Sequence, residues 1–202
     1  MNSSPYARAL GGRIEELHPR LRLYFSGMPD GSVGVGEGVF RRVGTPRRWL
    51  WPALRMLGRR GVIPACWERD VSFRIENLVI ASRAIGRREF RLPSGRWIMH
   101  DAVIATPHGR VVDELGEPAM IVASFDVDVQ DGGLLLTSRA IGIRLGRLRL
   151  RVPRPISPVV RLSERFDDAI NRQSVTLTID APVIGRVYEY CGDFDYRIEK
   201  AS

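Results

Sequence analysis

Between Trp67 and Ile198 the chain alternates apolar and polar residues in one short run after another, each stopped by Gly, Pro, Asn or Asp. A period of two marks a strand with one buried face. Val71, Phe73 and Ile75 alternate with Ser72, Arg74 and Glu76. A run ending at Phe90 to Leu92 turns at Pro93-Ser94-Gly95 into one from Arg96 to Ala105, and Pro107-His108-Gly109 turns into Arg110 to Leu115. Asp131-Gly132 is the strongest hairpin signal. A two-residue turn there pairs Val129 with Leu134, Val127 with Leu136 and Phe125 with Ser138, leaving Asp126, Asp128 and Gln130 on the other face. Arg147, Arg149 and Arg151 alternate with Leu148, Leu150 and Val152, and Pro153, Pro155 and Pro158 mark an edge or crossing. Further runs fill Val159 to Phe166, Ser174 to Ile179 and Val187 to Ile198, the last with Tyr188, Tyr190, Phe194, Tyr196 and Ile198 in one phase. About nine or ten strands joined by short turns predict an antiparallel meander that curls and closes into a barrel or strongly curled sheet.

The first 61 residues read differently. Ser4 caps and Pro5 starts a helix, Gly11-Gly12 interrupts it, and Pro19 restarts it after His18. Leu10, Ile14, Leu17 and Leu21 form its apolar stripe. Gly34, Gly36 and Gly38 lie between Val33, Val35 and Val39. With no following Lys-Ser/Thr and no third fingerprint glycine, this is a strand with one face reduced to hydrogen, open to close approach by a backbone or a ligand. Thr45-Pro46 opens a second helix, with Pro52 either bending it or marking its true first turn. Leu50, Ala53, Leu54 and Leu57 are its buried stripe, and Gly61 follows its end. The expected organisation is mainly β (α+β) and a single domain, 1–202, with a helical N-terminal part over 1–61 holding one Gly-rich strand and the sheet over 62–199.

Charge excludes less than its size suggests. The net charge is +8, and all but one of the 31 Lys+Arg are arginine. The 23 acids are interleaved with them. An internally paired surface outweighs nucleic-acid binding as the reading. No apolar run reaches the roughly 18 residues that cross a bilayer, and the N-terminus lacks a signal-peptide core, so a cytoplasmic location is the expectation. Cys66 and Cys191 have neither metal nor redox spacing. Three histidines, His18, His100 and His108, give no metal-ligand pattern, and no nucleophile elbow supports a serine triad. No cofactor or metal is expected.

Candidate site residues follow from the alternation. His100 and Asp101 sit mid-run and face opposite ways. If Trp97, Met99 and Val103 face inward, so does Asp101, which then needs a buried donor; Arg74 is the candidate. Trp67-Glu68-Arg69-Asp70 and Ser163-Glu164-Arg165-Phe166 set acid beside arginine at strand ends, an arrangement fit for acid–base work only where carboxyls stand about 5–9 Å apart around a substrate. If Tyr188 and Tyr190 are core, Glu189 faces solvent; in the opposite phase Glu189 is a polar anchor. The candidate ligand residues are Trp67, Arg74, Trp97, His100, Asp101, Glu164, Glu189 and Tyr190. A basic, aromatic helix carrying Trp49, Trp51 and Arg55 is the candidate docking element, against the plainer reading of a helix that covers one mouth of the sheet.

Four segments carry a family resemblance: LHPRLRLYFSGMPDGSVGVGEGVF, GTPRRWLWPALRMLGRRGV, WERDVSF and SERFDDAINRQSVTLTIDAPVIGRVYEYCGDFDYRI. They resemble the bacterial domain-of-unknown-function family 4166, over most of the chain. The resemblance extends to the C-terminal domain of membrane proteins of the YndJ type and to chains fused to reductase-like domains, which implies an accessory or ligand-binding role without a mechanism. The fold resembles the lipocalin-like class. Three functions are expected. The first is binding of a small hydrophobic molecule or lipid in the barrel, which requires an apolar cavity with a few polar anchors. The second is a cofactor-independent isomerase or cyclase, which requires an interior carboxylate or His with a displaced pKa. The third is docking of a membrane protein, reductase or peripheral membrane through Trp49 and Trp51, which requires a filled barrel and an exposed apolar patch.

Overall fold

A computed structural model of the chain describes residues 2–200. Ten strands, in chain order β1 (Ser32–Gly44), β2 (Val71–Ile80), β3 (Arg83–Leu92), β4 (Gly95–Ala105), β5 (Arg110–Leu115), β6 (Ile121–Gln130), β7 (Gly133–Leu145), β8 (Val159–Asp167), β9 (Arg172–Ala181) and β10 (Gly185–Lys200), form one antiparallel barrel. Each pairs with the next, and β10 returns to β1 from Glu189↔Gly44 to Lys200↔Ser32. The barrel is a closed up-and-down meander. Register shifts at Ser138/Ala140, Ile179/Asp180 and Cys191/Gly192 supply the local twist that closure demands.

The Asp131-Gly132 hairpin has the expected register: Val129↔Leu134, Val127↔Leu136 and Phe125↔Ser138. Both turn residues have positive φ, 49° and 73°, as a type I′ turn requires. A second hairpin of this kind, Ala81-Ser82 with φ 47° and 64°, has no turn residue to announce it.

The glycine face of β1 admits aromatic rings from its neighbours rather than a ligand. A Cβ on Gly34 would lie inside the Tyr196 ring, and one on Gly36 or Gly38 would strike Phe194. Phe40 stacks on Phe73 at 3.9 Å and on Phe90 at 5.4 Å, with Tyr190 at 5.0 Å. The β1–β2–β3 side of the barrel is therefore solid.

The two ends differ. At one end the N-terminal segment forms a plug: α1 (Pro5–Leu10), a 3-10 stretch (Gly11–Glu16) and α2 (Pro19–Phe25). Ser4 caps α1 by accepting from the Ala7 N–H at 3.1 Å, and its hydroxyl donates to the Phe25 carbonyl. Leu10, Leu17, Leu21 and Phe25 pack onto Val111, Phe125 and Leu134. The plug is fastened to the rim where the His18 N–H donates to the Gly132 carbonyl at 2.9 Å and Arg13 meets Asp128 at 2.7 Å.

At the other end lie a 3-10 turn (Arg48–Leu50) and α3 (Trp51–Gly58), with Pro52 in the first turn of α3 and Leu50, Trp51, Leu54 and Leu57 packed on the aromatic core. The Trp97 indole donates to the Gly58 carbonyl at 3.2 Å and the His100 N–H to the Gly61 carbonyl at 3.2 Å, which ties α3 to β4. Leu148–Arg151 is a strand, but it lies outside the barrel as a flap paired with the end of β7.

The outer wall carries paired charges: Arg74 with Glu37 and Glu76, Arg83 and Arg144 with Glu114, Arg110 and Arg139 with Asp126. A bilayer-spanning barrel carries an apolar band there.

Candidate ligand cavity and its polar floor

The barrel is hollow between the aromatic wall and the helical plug. A cavity of about 280 Å³ occupies this space, near the lower limit of small-molecule sites, roughly 300–1,000 Å³. Its upper walls are apolar: Leu54, Leu57 and Ile63 from the α3 segment, with Ile121, Ile141 and Val160 from the strands. Pro158, Ile179 and Val187 line the cavity from the β8, β9 and β10 side. Towards the plugged end stand Arg88, Asp113 and Glu164, with Tyr6 and Tyr24 from the helices.

This floor is built by alternation. Phe90 faces inward on β3, so Arg88 and Gly86 do too. Gly86 pairs with Asp101 across β3 and β4, and a Cβ at Gly86 would strike the Asp101 carboxylate. The glycine supplies the room in which Asp101, 5% exposed, forms its ion pair with Arg88. The partner of Asp101 is thus Arg88; Arg74 lies on the outer face with Glu37 and Glu76. On β5, Val111 and Asp113 share the inward phase, and Asp113 Oδ1 is buried with no hydrogen-bond partner. On β8, the Glu164 carboxylate accepts from the Gln173 amide, and both are buried.

Burial governs the electrostatics. It pushes the Asp113 carboxyl up to about 6, against the pull of Arg88 and with a further push from Glu114. It pushes Glu164 up to about 7, opposed by the Gln173 hydrogen bond and by Arg88. Burial works against the Arg88 charge too, but the surrounding tyrosines and Asp113 more than offset it and hold its pKa above the usual value. Tyr190, pushed up to about 12 by burial, stays a neutral hydroxyl at the edge of the site. One guanidinium thus serves three carboxyls, of which one is firmly paired and two titrate near neutrality.

The candidate residues divide cleanly. Glu164 and Tyr190 line the cavity and Asp101 lies behind its Arg88 wall. Trp97 faces inward but packs against Phe90 at 5.4 Å, outside the cavity lining. His100 and Glu189 take the outward phase, His100 lying 3.8 Å from Glu117 and Glu189 pairing with Arg186 at 2.9 Å. Trp67 lies against Arg42 at 5.0 Å, where its short strand (Trp67–Glu68) joins β1. Trp49 is exposed and Arg55 faces solvent beside it, whereas Trp51 turns inward and its indole donates to the Thr45 carbonyl at 3.4 Å. Arg88 and Asp113 were absent from the candidates, although the phase set by Phe90 and Val111 points to both. Among the described residues no three His, Cys, Asp or Glu side chains converge as metal ligands.

No curated protein and no solved structure matches the chain. One family model does, the domain of unknown function (DUF4166), over residues 17–194, which reaches into every strand of the barrel and takes in the second helix of the plug. The chain belongs to that family.

Proposed function

We propose that the protein binds a small amphipathic molecule whose apolar body fills the upper cavity and whose polar head, a hydrogen-bond donor, reaches the floor. The observation that carries this reading is Asp113 Oδ1, a buried acceptor without a donor in the polar floor of a hollow site whose upper walls are apolar. An orphaned buried acceptor costs about 1–3 kcal/mol, which a ligand hydroxyl, amide or amine recovers. A carboxylate head adds a further negative charge to a floor where Arg88 already serves Asp101. A lipocalin-like use of the barrel interior, as a ligand pocket, is part of this proposal.

Calorimetric titration with 1-octanol, octanamide and octanoate at pH 8 tests it. The alcohol and the amide bind, octanoate binds at least about tenfold more weakly, and Ala123→Phe, which fills the cavity, abolishes all three. Absence of binding, or binding indifferent to Ala123→Phe, refutes the reading.

A second reading, a cofactor-independent isomerase or cyclase, is favoured by Asp113 near 6 and Glu164 near 7, a base and an acid together at neutral pH. The molecule recovered from the cavity decides between them. A binder returns it unchanged, and an enzyme returns it altered.

A further inference from the structure

The open end of the barrel has a charge pattern unlike the rest of the molecule. The connections at that end, residues 45–70, 93–94, 116–120, 146–158 and 182–184, hold ten arginines against three acids, Glu68, Asp70 and Glu117. The plugged end, residues 1–31 with the connections 81–82, 106–109, 131–132 and 168–171, holds four arginines against five acids. Pairing follows the same division. Among the described residues, none of the ten mouth arginines has a carboxylate within 4.0 Å, while of the other twenty all but Arg8, Arg20 and Arg91 do. The wall neutralises its arginines; the mouth leaves them bare.

Exposed apolar side chains gather at the same end. Among the described residues, eight of the thirteen large ones are there. Trp49 (62% exposed) and Met56 lie on the α3 side, Val183 and Ile184 on the β9–β10 turn, and Leu145, Leu148, Leu150 and Ile156 on or beside the flap. The flap is two-faced by register. Ile143↔Leu150 and Leu145↔Leu148 share one face, Arg144↔Arg149 and Gly142↔Arg151 the other. Leu145, Leu148 and Leu150 on its apolar face are exposed.

We propose that the mouth is a docking surface for an anionic lipid bilayer, on which the barrel stands with its cavity opening towards the membrane. Charge complementarity selects this partner. Two clusters of arginines without carboxylate partners, six in residues 45–70 and four in residues 146–158, meet phosphate headgroups, while Trp49, the flap leucines and the Val183-Ile184 turn reach the acyl boundary. Guanidinium forks suit phosphate oxygens, and an indole suits the interface. The expected filled barrel is not needed for docking, because the mouth's arginines and exposed apolar side chains lie on the outer surface; the inference does not depend on what the cavity holds, so Ala123→Phe is expected to leave docking intact.

Sedimentation of the full chain with vesicles of phosphatidylcholine alone, or of equimolar phosphatidylcholine and phosphatidylglycerol, tests it. Binding is expected to the anionic vesicles and to weaken as salt rises. Arg147→Gln, Arg149→Gln and Arg151→Gln together lower it, at about fivefold per arginine, by about a hundredfold. Leu148→Ser with Leu150→Ser lowers it without changing the charge. Arg74→Gln, Arg139→Gln and Arg161→Gln together, on the wall where each has a carboxylate partner, change it by less than about threefold. Brominated phosphatidylcholine in the anionic vesicles quenches the fluorescence of Trp49, seen as signal lost in Trp49→Phe. Equal loss from wall and mouth variants, equal binding to neutral vesicles, or binding to an RNA homopolymer without binding to vesicles overturns the proposal.

Discussion

Glu164→Gln removes a charge from the cavity floor while keeping the side chain's shape and its contact with Gln173. In the folded chain the Glu164 carboxyl has a pKa of about 7, against an ordinary value of 4.5. The folded state therefore holds the proton more tightly than the unfolded state does. Stability contributed by this group is present in full below pH 4.5 and is lost as pH rises through 7. At about 1.4 kcal/mol per pH unit, the penalty carried by the wild type is about 1 kcal/mol at pH 5, about 2 at pH 6 and about 3 above pH 7. The amide of the variant never ionises, so the variant escapes this penalty. Urea unfolding of both proteins, followed by tryptophan fluorescence from pH 5 to 8, reads the difference directly. The variant gains on the wild type by about 2–3 kcal/mol across this range, and the gain flattens above pH 7. A difference between the two that stays constant with pH refutes the reasoning, since it places Glu164 in ordinary solvation and the floor in water.

Other substitutions probe the frame around that floor. Gly86→Ala forces a methyl onto the Asp101 carboxylate and is expected to lower unfolding stability by about 1–3 kcal/mol in urea melts. Arg88→Met leaves Asp101 and Asp113 without their cation and costs about 3–5 kcal/mol, and adding Asp101→Asn restores a substantial part of it, measured as a double-mutant cycle. Ser4→Ala removes the α1 cap and is expected to cost about 1 kcal/mol, with hydrogen exchange rising first in residues 5–10.

The barrel was legible where side chains and turns agreed. Asp131-Gly132 named its own hairpin and register, while the Tyr188–Ile198 alternation left two phases open, and the burial of Tyr188 and Tyr190 selects the one with Glu189 outside. Ala81-Ser82 was silent because the turn takes positive φ from residues that do not advertise it, at a local cost of roughly 1–2 kcal/mol each. The pairing of Asp101 with Arg74 fails on the same alternation that places Asp101 correctly. Phe73 and Ile75 are inward, so Arg74 between them is outward, and the inward arginine is the one two residues before Phe90. The glycines of β1 promised a close approach, and only the register against β10 shows that Phe194 and Tyr196 make it. The polarity of the mouth was readable only in part: the basic helix around Arg55 was visible as a candidate docking element, but that the arginines of residues 146–158 share its end of the barrel shows only once the meander closes.

Native mass spectrometry of the protein purified from two unrelated hosts tests the hollow barrel as a binding site most directly. The expected spectrum carries a small-molecule adduct, or accepts added octanamide at one per chain, and Ala123→Phe loses both. Bare protein from both hosts that takes up no octanamide contradicts it.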